Sequence, residues 1–153
     1  MIWKCKTYGS LSIDELYQIL RVRQEVFVIE QDCNYLDADN LDKYSVHLLC
    51  YKKDILIAYM RIYTNPNNSS EVSFGRILVK KKFRGMGLGK ELVQRGINLN
   101  VDSLKNRVIS MSAQVYLVKF YEKLGFRILG KEYLEDKIPH IKMIRRENGK
   151  DML

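Results

Sequence analysis

The 153-residue chain carries 26 lysines and arginines against 18 aspartates and glutamates, a net charge of +8, and 46% of its residues are hydrophobic. That length fits one domain with a sizeable core, and the composition is that of a globular chain rather than a disordered one. It offers no apolar run near the roughly 20 residues of a membrane span, and no disulfide framework or zinc site is expected from three cysteines without CxxC spacing.

The start, Met1-Ile2-Trp3-Lys4-Cys5-Lys6, lacks the apolar centre of a signal peptide, so a cytoplasmic setting is expected. Ile2–Lys6 reads as a short strand. Ser12 and Glu15 form a capping-box signature, and Ile13, Leu16, Ile19, Leu20, Val26 and Phe27 recur at helical spacing. The expected helix runs from Ile13 to Val28 with a break near Arg23. Residues 30–42 are polar and aperiodic, an irregular loop with Glu30, Asp32, Asp37, Asp39 and Asp42 and no basic residue. That acidic run, and the absence of a basic groove with exposed aromatics, argues against nucleic acid.

His47–Tyr51 and Ile55–Tyr63 read as a hairpin around Lys52-Lys53-Asp54. Thr64–Ser70 reads as a loop and Glu71–Val79 as a third strand of the antiparallel set. Next come Lys80-Lys81-Lys82-Phe83-Arg84-Gly85-Met86-Gly87-Leu88-Gly89 and a helix to about Val101. Arg107–Ala113 then forms a strand, Val115–Leu124 a helix stopped by Gly125, and Phe126–Leu129 and His140–Ile144 two last strands joined by a charged loop that includes Pro139. One mixed α/β domain is expected over residues 1–147, ahead of a polar tail, 148–153, that frays.

The glycine loop is either a diphosphate cradle or a turn that only redirects the chain. A helix start exposes unpaired N–H groups and the positive end of the helix dipole, and glycines let backbone close on a phosphate. The spacing is neither a P-loop, since no Gly-Lys-Ser/Thr follows, nor a GxGxxG dinucleotide fingerprint.

A second motif narrows the choice. Arg84-x-x-Gly87-x-Gly89, with Phe120-Tyr121-Glu122-Lys123-Leu124-Gly125-Phe126 downstream, resembles the GNAT (Gcn5-related) N-acetyltransferase superfamily. Arg23-x-x-Val26-Phe27-Val28-x-Glu30-Gln31, Tyr35 in the Asp-rich loop, His47-Leu48, Ala113-Gln114 and Ile138-Pro139-His140-Ile141 resemble its ElaA-like branch. The resemblance implies a largely antiparallel, twisted sheet flanked by helices and splayed around an acyl-CoA cleft, with acetyl-CoA or coenzyme A as cofactor. It also implies an amine acceptor, small molecule or peptide, that attacks the thioester directly, and pairing of two copies is plausible for the fold. A non-catalytic acyl-CoA sensor on the same fold is the alternative.

Carried onto this chain, the resemblance gives the amides of Gly85, Met86, Gly87, Leu88, Gly89 and Lys90 to the pyrophosphate, with Arg84 adding charge and Lys80–Lys82 within reach of the ribose phosphate. Ile77, Leu78 and Val79 would pair with the pantetheine like an added strand, and Gln114 and Phe120 complete the cofactor wall. Tyr121 stands where the family has its general acid, and the Val79 amide where it has its oxyanion donor. The base is open among Glu71, Glu30 and His140, since Ser73 replaces the glutamate some members carry six residues before Val79. Arg23, Phe27, Glu30, Gln31 and Tyr35 would face the acceptor, drawn electrostatically to an acidic rim at residues 30–42.

Overall fold

Eight strands and three helices make up residues 1–147, which the computed structural model describes; the tail at 148–153 lies outside the described residues. In chain order they are β1 (Ile2–Thr7), α1 (Ile13–Arg23), β2 (Ser45–Lys52), β3 (Ile55–Asn65), β4 (Asn68–Val79), α2 (Leu88–Asp102), β5 (Val108–Gln114), α3 (Val118–Glu122), β6 (Arg127–Ile128), β7 (Tyr133–Glu135) and β8 (Ile138–Arg145). The sheet order is β1-β2-β3-β4-β5-β8-β6, with β7 also paired to β8. Every pairing is antiparallel except β4 with β5. This open mixed α/β sheet is the fold class expected from the sequence.

Alternation along β2 builds two cores. Leu49 and Tyr51 pack with Ile19, Val22 and Val26 on one face, while Leu48 and Cys50 pack with Leu88, Leu92, Val93 and Ile97 of α2 on the other. Sheet thus separates α1 from α2, and β3 is buried on both sides from Leu56 to Ile62. The Ser12 hydroxyl accepts from Glu15 N at 3.0 Å and the Glu15 carboxylate from Ser12 N at 2.8 Å, so the capping box forms.

Four local features depart from the sequence reading. The break at Arg23 is a widening: Gln24–Glu30 continue as a π-helical segment, with Gln31 N on Val26 O and Cys33 N on Val28 O at 3.2 and 3.0 Å. The loop at 64–70 contracts to a tight turn. Asn65 pairs with Asn68, and Pro66-Asn67 suffice for the reversal because proline presets the first turn position and Asn65 Oδ1 accepts from Asn67 N at 2.9 Å. In the charged stretch, β7 was missed. Asp136 and Lys137, φ 49° and 67°, make a two-residue hairpin turn that pairs Tyr133 with His140 and places Pro139 in β8 opposite Leu134. The helix expected over 115–124 begins as a 3-10 turn at Val115–Leu117 before α3.

The end of α3 matters because Tyr121 sits on it. Gly125, φ 93°, closes a Schellman motif: Phe126 N bonds Tyr121 O at 3.2 Å and Gly125 N bonds Glu122 O at 3.0 Å. A Cβ at 125 would lie 2.9 Å from Arg145 Nε, which donates to Leu124 O at 2.9 Å. Gly125→Ala is therefore expected to cost about 1–2 kcal/mol for the left-handed backbone and more for the displaced Arg145. Urea denaturation with an unchanged m-value is the check.

Candidate active site

Pairing between β4 and β5 stops at Ser73 with Ser110. Beyond it β4 stays with β3 and β5 with β8, so the sheet splits. The split opens a cleft of about 940 Å³ lined by Gly75–Val79 on one side and Met111–Gln114 on the other. A bulge marks the parting: Tyr59 faces Leu78 but Arg61 faces Gly75, and Arg76 there takes φ 51°.

The strand edge facing the cleft carries open backbone groups. Lys80 N donates to Ile57 O on β3 at 2.8 Å; the pleat then turns the main-chain groups of Val79, and of Ile77 two residues before it, away from β3 and toward the split. The Val79 carbonyl on that side takes Arg84 Nε at 2.8 Å. Leu78 lines the same wall while its side chain is buried beneath.

The glycine loop leads straight from this edge into α2. Gly87, φ 80°, is the N-cap, has no side chain to cap with, and its carbonyl accepts the first helical bond from Glu91 N at 3.1 Å. The N–H groups of Leu88, Gly89 and Lys90 therefore lie before the helical ladder, an anion-binding arrangement. Gly85, φ 83°, needs glycine for its backbone, but Gly89 does not, and a Cβ there would meet Phe120 and Val79 only at 3.8 and 3.9 Å. Gly85, Gly87, Gly89 and Lys90 line the cleft; the Met86 side chain points out and is exposed. Lys80 pairs with Glu25 at 3.4 Å.

Tyr121, on the cleft wall, is 5% exposed. Phe120 and Phe126 pack edge-on to its ring at 5.0 and 6.0 Å. Burial, with the Tyr116 phenol adding to it, pushes its own phenol up to about 12. Among the described residues no group hydrogen-bonds its hydroxyl. Gln114 lines the cleft opposite its β8 partner His140.

The three base candidates part company here. Glu71 lies where β4 still pairs with β5, bonded by the Ser110 hydroxyl at 3.4 Å and outside the cleft lining. Glu30 lines the cleft but is held by Arg84 NH1 at 2.7 Å. His140 lines it at 6% exposure, with Nδ1 2.7 Å from the Ile138 carbonyl and Nε2 3.3 Å from Glu135. Glu135 was not anticipated. The sequence signal for it was the Asp136-Lys137 turn between Leu134 and Ile138, which would have made a hairpin of the charged loop.

Of the residues expected to face the acceptor, Phe27, Gln31 and Tyr35 line the cleft, but Arg23 does not. It is fully buried, with Nε 2.7 Å from Asp37, NH1 2.6 Å from Asp42 and NH2 3.1 Å from the Asp37 carbonyl. Asp42 also takes Arg61 at 3.0 Å; Asp39 takes Arg61 at 2.8 Å and Arg76 at 3.3 Å; Asp37 takes Arg76 at 2.8 Å and the Tyr35 hydroxyl at 2.9 Å. Burial alone would push the Asp39 and Asp42 carboxyls up, yet the guanidiniums outweigh it, holding Asp42 below the usual carboxylate range and Asp39 at about 2. Three arginines neutralise three aspartates, so the acidic rim expected from residues 30–42 becomes an internal ionic network that ties the loop to the sheet. His47, buried beside it, spans the Tyr59 hydroxyl and the Asp42 carbonyl at 2.7 and 3.0 Å, and burial holds it below its ordinary value.

The acetyltransferase (GNAT) domain family matches residues 15–146. A UPF0039 protein of Synechocystis sp. is 41% identical over 145 residues, 94% of each chain. Protein ElaA of Escherichia coli is 34% identical over 94% of this chain and 95% of its own, and its crystal structure superposes with a TM-score of 0.90 over 95% of this chain and 99% of that one. An acyl-CoA N-acyltransferase from Pseudomonas aeruginosa, 36% identical, superposes with a TM-score of 0.88 over the same shares. In sequence and fold alike, the chain belongs to the GNAT family of acetyltransferases, enzymes whose acyl donor is acetyl-CoA.

Proposed function

We propose that the enzyme transfers the acetyl group of acetyl-CoA to a primary amine by direct attack of the amine on the thioester, in a cytoplasmic setting. The observation that carries this reading is the unpaired β4 edge, which runs into an uncapped helix start and shares its cleft with Tyr121. The pyrophosphate would sit on the amides that open α2, with Arg84 beside it, and the pantetheine would complete the open edge along Val79 and Ile77. One of those two outward amides then donates to the oxyanion.

His140 is the group best placed to free the amine of its proton. The Ile138 carbonyl can only accept, so Nδ1 carries hydrogen, and in the neutral imidazole Nε2 holds the lone pair. The phenol of Tyr121 stays protonated at neutral pH and donates to the departing thiolate.

The test combines a thiol-release screen of amines with acetyl-CoA and titration of CoA onto Gly89→Val. Gly89 has no backbone need for glycine, so the variant should keep its melting temperature while CoA affinity falls at least tenfold, as a side chain there crowds the phosphate site. Unchanged CoA affinity in Gly89→Val would place the cofactor elsewhere. Tight CoA binding without thiol release from any amine would favour the sensor.

A further inference from the structure

We infer that the amine is received between Glu135 and His140, with the Glu135 carboxylate recognising its positive charge, a subsite that rests on the acetyltransfer reading above. The β7–β8 hairpin builds it. Tyr133 pairs with His140 and Glu135 with Ile138, so these four side chains share one face, and Glu135, Ile138 and His140 line the cleft. The Asp136-Lys137 turn, with both residues left-handed, pins that register. The Tyr133 ring stacks on the imidazole at 6.2 Å and 24°, and its hydroxyl is held by Ser112 of β5, which fixes the plane in which Nε2 points.

In the neutral imidazole, Nδ1 keeps its hydrogen for the Ile138 carbonyl, so the bare Nε2 looks at Glu135 Oε2 across 3.3 Å. Two acceptors facing each other repel unless a donor lies between or beside them. A proton on Nε2 closes that pair before an amine arrives; a primary ammonium closes it with the imidazole neutral, giving one N–H to the carboxylate and one to the imidazole. The rest of the cleft points to the same place. Glu30 is taken by Arg84, and Asp39 by Arg61 and Arg76. Among the described residues, Glu135 and its neighbour Asp136 are the cleft carboxylates with no arginine or lysine partner.

The proton balance follows. The bound ammonium gives one proton to His140 Nε2, and the imidazolium that forms is stabilised by Glu135 and Ile138. The neutral amine adds to the thioester carbonyl and the C–S bond breaks. The second nitrogen proton replaces the one Tyr121 lends to sulfur, leaving amide and free thiol, and His140 returns its proton to water.

Glu135→Gln keeps shape and removes charge at a half-exposed position. Thiol release above the uncatalysed rate should be compared for cationic primary amines and for hydroxylamine, which is largely uncharged at neutral pH and needs neither recognition as a cation nor deprotonation before attack. Glu135→Gln should raise KM for the cationic amines at least tenfold and for hydroxylamine much less, with CoA affinity within twofold of wild type. His140→Gln should lower kcat for cationic amines at least tenfold more than for hydroxylamine, with CoA affinity unchanged. Equal losses for both nucleophiles, or no loss for either, overturn the subsite alone. Wild type that binds CoA yet releases no thiol with either nucleophile overturns the acetyltransfer reading and the subsite with it.

Discussion

Tyr121→Phe is expected to lower kcat by about 10²-fold or more, the range of a positioned general acid, while CoA affinity and folding stay as they are. The phenol has no described hydrogen-bond partner to strand, so removing it from a site 5% exposed leaves nothing buried unsatisfied. The cofactor contacts proposed on β4 and α2 do not involve it. The role proposed for it fits its burial: with the phenol pushed up to about 12, it stays protonated throughout the neutral range. It remains a weaker acid than a thiol, whose pKa is near 8.5, so it steadies the thiolate rather than keeping the negative charge. The activity rise with pH therefore belongs to the amine and its base, and the alkaline limb should not appear before the phenol ionises. Single-turnover kinetics with CoA titration separates the steps. If Tyr121→Phe turns over every accepted amine at the wild-type rate, the leaving group does not depend on this phenol.

The fold was legible in the sequence where local signals and burial agree. The capping box at Ser12, the apolar run of β3 and the glycines at 85, 87 and 125 each announce an element by a mechanism that tertiary contacts do not reverse. The motif pair around Arg84 and Tyr121 picked out residues that the fold brings into one cleft, because their positions rest on backbone and on one aromatic. The acceptor half was less legible because charge in a sequence carries no sign of its partner. Arg23, Arg61 and Arg76 come from three separate elements to meet Asp37, Asp39 and Asp42, and only the assembled sheet shows that they cancel. The same limit hid Glu135, whose meaning depends on facing His140 across a hairpin, and placed Glu71 on the right strand before the point where that strand leaves its neighbour.

Removing the centre of the ionic network should be the most damaging change to stability. Arg23→Ala leaves Asp37 and Asp42, 5% and 8% exposed, without their shared partner. Breaking a buried pair in this way costs about 3–5 kcal/mol, read as a lower urea midpoint. Lysine should not restore it, because one ammonium cannot reproduce the three in-plane bonds to the Asp37 carboxylate, the Asp37 carbonyl and Asp42. The pH dependence has a definite sign. Asp39 and Asp42 are held below their unfolded values, so their contribution is complete above about pH 4 and is lost as pH falls toward 2. Arg23→Ala should flatten that acid limb, since the Asp42 carboxyl then gains less from being ionised in the fold. A loss below about 1 kcal/mol, the worth of an exposed pair, would mean the network is solvated. The functional effect should be lopsided as well. Arg23 bonds Asp37 and Asp42 and reaches β4 through Arg76, so the folded variant should still bind CoA along Val79 and the start of α2. Tyr35 and Asp39, which the network holds against the cleft, should lose their places, and the acceptor KM should rise with them.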